Sequence, residues 1–444
     1  MQANRANRQP VQPQADLRLL LVTASAPEIH RIRRSRFLNF QQVTMPYLAA
    51  QAPPGWQVAH VDEEVRPVDF NAPADLVGIT FHTPSAFHAY EIAARFRARG
   101  TPVVLGGPHA TLLPEEAAAH ADVIFVGEAE GLWTQFLEDF ARAGGLSGCR
   151  ARYQPAAPPD LAGVPPSARR LFHRRDLTAG ALFATRGCPR SCDFCSLAVM
   201  YQRRLRRRPV EQVAAEAAGF RGRVLIFWDD NLTADIGYAK ELFRAITPLH
   251  KWWAAQASVL AGSDDEFLRL AARSGCKQLF LGLESISQAS LNAANKPFNR
   301  PADYAALIRR IHAHGIAVQA GIVFGFDQDT PAVFADTLAF LEDTGVQNAT
   351  FNILTPFPGT PLFHRLEAEG RILTRDWRKY NSRADVVFQP QHMTPAELLA
   401  GFQSAVRRFY SLASIHRRLA RAPTGLWWTL PLNLAYAAAL RHGL

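Results

Sequence analysis

Short apolar runs alternate with helical patterns in two successive series along this chain of 444 residues. A parallel sheet requires this alternation, because its strands are buried on both faces and its connections are helices. The first series predicts a doubly wound, Rossmann-like α/β domain. Its predicted strands are Leu17–Val22, Val58–Val61, Leu76–Phe81, Val103–Leu105 and Val123–Val126.

The second series follows a proline-rich linker and contains six strand-like runs, which predicts a partial or full (β/α)6 barrel. Polar residues follow several of these runs, and the chemistry of such barrels lies at the C-terminal ends of the strands. The predicted strands are Gly180–Thr185, Val224–Trp228, Trp252–Ser258, Gln278–Leu283, Ala317–Phe324 and Ala349–Leu354.

Composition divides the chain into five segments. The N-terminal tail is polar and has no apolar core of a secretory signal, and no window reaches the roughly 18 apolar residues of a spanning helix. We therefore expect a cytoplasmic protein. The predicted segments are a disordered tail (1–16), the Rossmann-like domain (17–145), a linker (146–179), the barrel (180–375) and a C-terminal helical region (376–444).

The formal net charge of +10 leaves two interpretations, an anionic partner or the codon usage of an arginine-rich genome. The basic residues are scattered and no RNA-binding module is evident, so we expect no nucleic-acid partner. A basic run, Arg203–Arg208, either grips an anion or forms a solvated turn. The apolar stretch Leu426–Leu440 predicts either peripheral contact with a membrane or a helix that docks on the barrel.

Three of the five cysteines, Cys188, Cys192 and Cys195, lie within eight residues on the loop after a predicted strand. This spacing allows three thiolates to hold one iron–sulfur cluster and leaves one iron open for a ligand. Zinc is the competing interpretation, but a tetrahedral site needs a fourth Cys or His in a nearby motif. The sequence therefore favours a [4Fe–4S] cluster in a reducing compartment. The solitary Cys149 and Cys276 are expected to be small buried residues.

The triplet, with Phe194 before its last cysteine, resembles the signature of the radical S-adenosylmethionine (SAM) superfamily over about Ala181–Leu362. The resemblance implies that the open iron chelates SAM and that the reduced cluster cleaves it to a 5′-deoxyadenosyl radical. It also implies SAM contacts at the ends of the later strands. A buried acid at a strand end more often caps a helix than binds a ligand, so no single motif is sufficient. The resemblance depends on all these motifs occurring in the same order as in the family. The implied contacts are Phe194, Asp229, Asp230, Glu284, Gly321, Val323 and Gly325.

The domain that precedes the barrel resembles the cobalamin-binding domain of B12-dependent radical SAM enzymes. Gly106 and Gly107 follow Thr80 at the separation usual for that domain, and glycines there let the nucleotide tail approach the backbone. A degenerate domain kept for substrate binding or packing is the alternative. The implied cobalamin contacts are Thr80, His82, Gly106, Gly107, His109, Gly127 and Glu128.

One departure concerns the lower ligand of cobalt. Many B12-binding domains carry this ligand in an Asp-x-His-x-x-Gly motif, whereas this chain has Glu28-Ile-His30-Arg-Ile-Arg33. The final glycine is missing, so the sequence leaves open whether His30 or no side chain ligates cobalt.

Together these resemblances imply an enzyme similar to the hopanoid and lipid methylases and to the anaerobic tetrapyrrole cyclase. The expected reaction is cobalamin-dependent methylation of an unactivated carbon on a lipid, isoprenoid, tetrapyrrole or natural product. The expected electron donor is a flavodoxin- or ferredoxin-type protein. Cyclisation, oxidation or carbon–carbon coupling without methyl transfer uses the same cofactors, and the sequence does not separate these reactions.

Overall fold

The computed structural model describes residues 16–25, 42–172, 180–422 and 424–441. Two six-stranded parallel sheets follow one another along the chain, as the two series of apolar runs predict. Apolar side chains from both faces of each sheet form the cores.

The first sheet has the strand order β2-β1-β3-β4-β5-β6. Its order reverses at β1, and in such sheets this switch point opens a crevice beyond the carboxyl ends of the strands. The last strand lies within the segment assigned above to the linker, so the sheet continues past residue 145. The strands are β1 (Leu17–Thr23), β2 (Trp56–Asp62), β3 (Leu76–Thr80), β4 (Val103–Gly106), β5 (Val123–Phe125) and β6 (Arg152–Tyr153).

Helices cover both faces of this sheet. On one face the apolar stripe of α5 contributes Trp133, Phe136, Leu137 and Phe140, whose spacing places them on one side of the helix. On the other face α2 packs into a separate core. The helices are α1 (Thr44–Ala50), α2 (Ala86–Arg97), α3 (Pro108–Leu112), α4 (Pro114–Ala118) and α5 (Leu132–Ala143).

The second sheet has the order β7-β10-β11-β12-β13-β14. Successive parallel strands are neighbours, as in a barrel, but β7 and β14 remain its two edges, so the barrel is the partial form. A short antiparallel pair, β8 with β9, flanks the cysteine loop. The strands are β7 (Ala181–Leu182), β8 (Thr185–Arg186), β9 (Arg206–Arg207), β10 (Val224–Phe227), β11 (Trp252–Ala257), β12 (Cys276–Glu284), β13 (Ala317–Phe324) and β14 (Asn348–Ile353).

Helices connect the barrel strands, and in the described part of the chain four more (α13 to α16) follow the last strand, β14. The connecting helices begin near the carboxyl ends of the strands and end near the start of the next strand. The helices are α6 (Ser196–Met200), α7 (Val210–Gly219), α8 (Ile236–Ile246), α9 (Asp265–Arg273), α10 (Gln288–Ala293), α11 (Pro301–Ala313), α12 (Ala332–Asp343), α13 (Pro361–Ala368), α14 (Pro395–Phe409), α15 (Leu412–Arg421) and α16 (Leu426–Arg441).

The segments after the barrel contact both sheets. Trp377 and Tyr380 pack into the core of the first domain, where the Trp377 indole donates a hydrogen bond to Glu116 at 3.0 Å. At the other end, α16 docks on the barrel through Trp428, whose indole donates to Gln278 Oε1 at 2.7 Å. None of the helices in the described part of the chain is both long and apolar enough to cross a bilayer.

A buried carboxylate, Glu216 on α7, joins the two domains. It accepts hydrogen bonds from the Tyr47 hydroxyl of α1 at 3.0 Å and from the Ser167 hydroxyl of the linker at 2.8 Å. It also pairs with the Arg208 guanidinium at 2.6 Å, and both side chains of this ion pair are fully buried. Three separate stretches of chain therefore meet at one charged group.

Replacing Glu216 by glutamine is expected to lower the free energy of unfolding by about 3 kcal/mol, because the Arg208 charge would stay buried without its partner. Tyr47→Phe removes one hydrogen bond and should cost about 1 kcal/mol. Urea unfolding followed by circular dichroism measures both effects. The control is Arg421→Gln, which breaks an exposed ion pair with Asp343 and should cost less than about 1 kcal/mol. Equal losses in Glu216→Gln and Arg421→Gln would contradict the joining role.

Candidate active site between the two sheets

The three clustered cysteines lie on the loop between β8 and α6. The backbone of this loop is anchored at Asp193, whose N–H donates to Ala294 O at 3.1 Å and whose carbonyl accepts from Leu362 N–H at 3.0 Å. These anchors come from the segments that follow β12 and β14, so the loop lies over the carboxyl ends of the barrel strands. This is the end where sequence analysis placed the chemistry.

Burial dominates the electrostatics of the thiols. It raises the pKa of Cys195 to about 12 and also raises the pKa of Cys192. The charges of neighbouring cysteines add to the rise in each of these pKa values. A bound cation would relieve this cost, because metal ligation stabilises the thiolate form.

The donor set fits an iron–sulfur cluster, since three thiols share one short, anchored loop. Within the described ranges, no group of three or more His, Cys, Asp or Glu side chains is placed to hold one metal ion. The ligands of a four-iron cluster bind different irons, however, and so they need not converge on one point. Phe194 packs against the barrel beside the loop, edge-to-face with Phe326 at 5.9 Å.

Glu284 ends β12 next to the cysteine loop and has an unusual backbone. Its φ of 64° lies in the left-handed region, which costs a residue with a side chain about 1 kcal/mol or more, and such strain is common at binding sites. Its carboxylate pairs with Lys296 Nζ at 2.7 Å. The same ammonium is near enough to Cys192 to lower the pKa of that thiol. Glu284 therefore lies near the cysteine loop, and its carboxylate is already paired with Lys296.

The two adjacent aspartates after β10 have different environments. Asp229 is completely buried and accepts hydrogen bonds from the N–H groups of Ala184 and Thr185 and from the Thr185 hydroxyl. Burial raises its pKa to about 6. Asp230 accepts from Gly187 N–H at 2.8 Å and lines the cavity described below. Asp229 therefore anchors the backbone between β7 and β8, and Asp230 lies at the wall of the cavity.

The glycine-containing motif of β13 has packing reasons for its small residues. A Cβ on Gly321 would lie 2.9 Å from the Phe280 ring, and one on Gly325 would lie 2.9 Å from Leu398 of α14. Gly325 also has a φ of 108°, and the turn that follows is held by Asp329, which accepts from the Gly325 N–H at 2.9 Å. Val323 is buried in the barrel core. These residues shape the barrel wall, and they do not line the cavity that reaches Asp230.

The carboxyl edge of the first sheet offers a cradle for a large ligand. Gly107 has a φ of 94°, and a Cβ there would overlap Thr80 Oγ1. At Gly78 a Cβ would lie 3.1 Å from Leu21 and 3.4 Å from Trp133, in the gap between the sheet and α5. Backbone without side chains is what a nucleotide tail needs to lie against the sheet.

Two of the predicted cobalamin contacts are used elsewhere. His109 is fully buried and lies between Thr83 Oγ1 at 3.1 Å and Glu116 Oε1 at 3.2 Å, so it is not placed to contact cobalamin. Glu128 borders the cavity, but its carboxylate is paired with Arg186 at 2.7 Å and with Arg206 at 2.5 Å. His30, the candidate cobalt ligand, lies outside the described residues.

One cavity of about 350 Å³ is lined both by residues of the first domain and by residues of the barrel. Its lining comes from the switch point of the first sheet, from α1 and α5, from β8 and α6 on either side of the cysteine loop, and from the residues that follow β10. No part of the sequence pattern predicts which residues meet here, because the two halves belong to different domains. The predicted residues in the lining are Thr80, His82, Gly106, Gly107, Gly127, Glu128 and Asp230, and the others include Tyr47, Trp133, Phe183, Arg186, Leu197, Met200, Tyr201 and Trp228.

The arginines near the cysteine loop are the functional residues that sequence reasoning left unassigned. Arg186, two residues before Cys188, pairs with Glu128 and with Glu130 at 2.5 Å. In the basic run, Arg207 pairs with Asp235 at 2.5 Å. Arg206 and Arg208 form buried ion pairs with Glu128 and Glu216, whereas the pair of Arg207 is exposed. Neither interpretation made from sequence, an anion grip or a solvated turn, describes these three arginines.

Comparison with known proteins identifies the families of the two domains that border this site. Residues 182–341 match the radical SAM superfamily, residues 33–137 match the B12 binding domain, and residues 360–426 match a domain of unknown function. Bacteriochlorophyllide d C-12(1)-methyltransferase of Chlorobaculum tepidum is 32% identical over 411 residues, which cover 89% of each chain. The chain belongs to the B12-dependent radical SAM family.

Two further matches place this radical SAM enzyme within the family. Bacteriochlorophyllide d C-8(2)-methyltransferase of the same organism is 31% identical over 76% of this chain and 78% of the relative. The structure of the methyltransferase TsrM from Kitasatospora setae, with cobalamin and a [4Fe–4S] cluster bound, has the same fold. Its TM-score is 0.66 at 17% identity, over 91% of this chain and 90% of TsrM. The cofactors of the family are the [4Fe–4S] cluster, SAM and cobalamin, as the sequence resemblance implied.

Replacing Cys192 by serine is expected to remove most of the iron from the anaerobically reconstituted protein, because the alcohol does not replace a thiolate ligand. Iron and sulfide assays, with the visible absorbance of the cluster, measure this loss. Cys149→Ser is the matched control and should keep the iron content of the wild type. A Cys192→Ser protein with normal iron would exclude this residue as a ligand.

Gly107→Ala is expected to abolish retention of hydroxocobalamin on gel filtration, because the new Cβ would displace Thr80 from the cradle. Gly100→Ala is a matched control, since Gly100 has a φ of 76° but open space around it. The control should lose about 1 kcal/mol of stability and retain the corrin. Equal cobalamin retention by the two variants would show that the cradle does not hold the corrin.

Proposed function

We propose that this enzyme methylates an alkyl carbon on the periphery of a tetrapyrrole, with a methyl group that originates from SAM and passes through cobalamin. The observation that carries the proposal is a cavity lined by the glycine cradle of the B12-binding domain and by β8 and α6, the two elements that flank the cysteine loop. Two relatives named as methyltransferases of bacteriochlorophyllide d support the substrate class.

In this proposal Cys188, Cys192 and Cys195 hold the cluster. Asp230 binds the ammonium group of SAM, since a carboxylate in a partly dry cavity gives a strong charge-assisted hydrogen bond. Glu284 binds the ribose hydroxyls with the carboxylate oxygen that Lys296 does not use. Gly321, Val323 and Gly325 shape the wall of the barrel on the side where the adenine would lie. Phe194 packs beside the loop and keeps it in place.

The cradle residues Thr80, Gly106, Gly107 and Gly127 bind the nucleotide tail of cobalamin in this proposal. Trp133 lies beside the same gap and gives the tail an aromatic wall. His82, at the mouth of the cavity, contacts the corrin edge. The ion pairs of Arg186 with Glu128 and Glu130 then hold the cradle against the cysteine loop.

When bound, the cluster with SAM supplies hydrogen abstraction from carbon, and cobalamin supplies methyl transfer. The protein positions the cofactors and the substrate and keeps water out of the cavity. Phe183, Leu197, Met200 and Trp228 give the cavity an apolar lining that excludes water from reactive carbon centres. Aromatic and thioether side chains also suit the face of a flat macrocycle, which favours a tetrapyrrole over a flexible lipid chain.

The test uses protein reconstituted with iron, sulfide and hydroxocobalamin, then supplied with a chemical reductant, SAM and bacteriochlorophyllide d under anaerobic conditions. We expect a product heavier by one CH₂, and SAM labelled in its methyl group should pass the label to that product. Cys149→Ser should form the same product, and Cys192→Ser should form none. Mass spectrometry of the pigment fraction measures all three.

Other outcomes would separate the alternatives. A product lighter by two or more hydrogens would replace methylation by the cyclisation or oxidation that sequence analysis left open. Formation of 5′-deoxyadenosine with no change in the pigment would keep the radical chemistry and exclude this tetrapyrrole as the substrate.

A further inference from the structure

The last helix, α16, turns polar side chains inward and large apolar side chains outward. Asn433 is completely buried, where its amide donates to Gln347 O at 2.9 Å and its carbonyl accepts from Arg418 at 3.1 Å. Thr429 is also completely buried. These bonds fix which side of the helix faces the barrel, so the direction of the opposite side is fixed as well.

The outward side of α16 carries an apolar stripe of Leu426, Trp427, Leu430 and Leu434. Their exposed fractions are 39%, 52%, 40% and 45%, although large apolar side chains usually lie inside. The spacing by three and four residues places them on one face of the helix. A contiguous apolar face of this kind marks an interaction surface.

Basic residues border the stripe on the side of Trp427 and form a basic rim there. Trp427 packs on Trp252 at 4.6 Å between ring centroids, and the Arg223 guanidinium lies 4.5 Å from the same Trp252 ring. The Lys277 ammonium lies 5.9 Å from that ring. These residues occupy the starting edge of the barrel strands, at the opposite end from the cysteine loop. Arg221 and Lys251 lie on the turns that enter these strands, and Arg273 ends α9. The Lys251 ammonium donates to Phe220 O and Gly222 O, both at 2.6 Å.

Acidic residues do not cancel this rim. No Asp or Glu occurs between residues 422 and 444. The acids that precede β14, Glu342 and Asp343, are paired with Arg417 at 2.9 Å and with Arg421 at 2.5 Å. The surface around α16 is thus apolar at its centre and positive at its border.

We propose that this surface binds the face of a lipid bilayer that carries anionic headgroups. Leucine and tryptophan side chains insert at the boundary between headgroups and acyl chains, while Arg and Lys bind the anionic groups around them. Charge complementarity favours a bilayer over a second copy of this chain, because two copies would bring two basic rims together. The inference does not rest on the proposed function, since α16 lies at the opposite end from the cofactor cavity.

The test is flotation of the reconstituted full-length protein with vesicles. We expect binding to mixed phosphatidylcholine–phosphatidylglycerol vesicles, weak binding to phosphatidylcholine alone, and reduced binding at high salt. Leu430→Glu combined with Leu434→Glu should weaken binding to the anionic vesicles by about tenfold or more. The matched control, Val65→Glu with Leu373→Glu, adds the same charge at two exposed apolar positions away from α16 and should bind as the wild type does.

Thermal unfolding of both double variants checks that they fold. Equal binding by the two double variants would overturn the inference, because charge alone would then explain attachment. Flotation with neither vesicle would also overturn it. A wild-type dimer in light scattering that becomes a monomer in Leu430→Glu/Leu434→Glu, without vesicle binding, would assign the stripe to a second copy.

Discussion

The buried charge of Glu216 decides how the two domains meet. A carboxylate out of water needs compensation, and here it comes from Arg208 on the barrel side, Tyr47 on the side of the first domain and Ser167 in the linker. None of these stretches can shift without leaving the charge exposed to an apolar core. The cavity between the sheets depends on this arrangement, since Tyr47 also lines it and Arg208 directly follows β9. The Glu216 ion pair therefore joins the two domains beside the cavity, in addition to the ion pairs of Arg186 with Glu128 and Glu130.

Much of the architecture follows from the periodicity of the sequence. Continuous apolar runs gave the strands of both sheets within a few residues, because strands that are buried on both faces cannot alternate with polar residues. The end of the first sheet was harder to predict. Its two-residue last strand, Arg152–Tyr153, has no pattern of its own and is defined by pairing with β5.

In the candidate site, too, some residues could be predicted from the local sequence and others could not. The cysteines and the glycines at Gly106 and Gly107 stand out in the sequence, because their chemistry and conformational freedom leave a mark in the local pattern, and their roles stay predictions. The roles of Asp229 and His109 were not, since adjacent or similar residues differ only in which way the backbone turns them. Arg186 gave no local signal, because its partners Glu128 and Glu130 lie in another domain, 58 and 56 positions away along the chain.

The ion pair between Arg186 and Glu128 has a thermodynamic consequence. Glu128 directly follows Gly127 of the cradle, and Arg186 precedes Cys188 by two residues. A cofactor that orders one side chain of this pair also restricts the other, so a second cofactor that binds beside it loses less entropy. Corrin binding at the cradle and cluster binding at the cysteine loop would therefore be linked. Linkage is reciprocal, and the factor by which the cluster strengthens corrin binding must equal the factor by which the corrin strengthens cluster binding. With the corrin on the cradle and the cluster on the cysteine loop, as proposed, this ion pair would make the binding of the two metal cofactors cooperative.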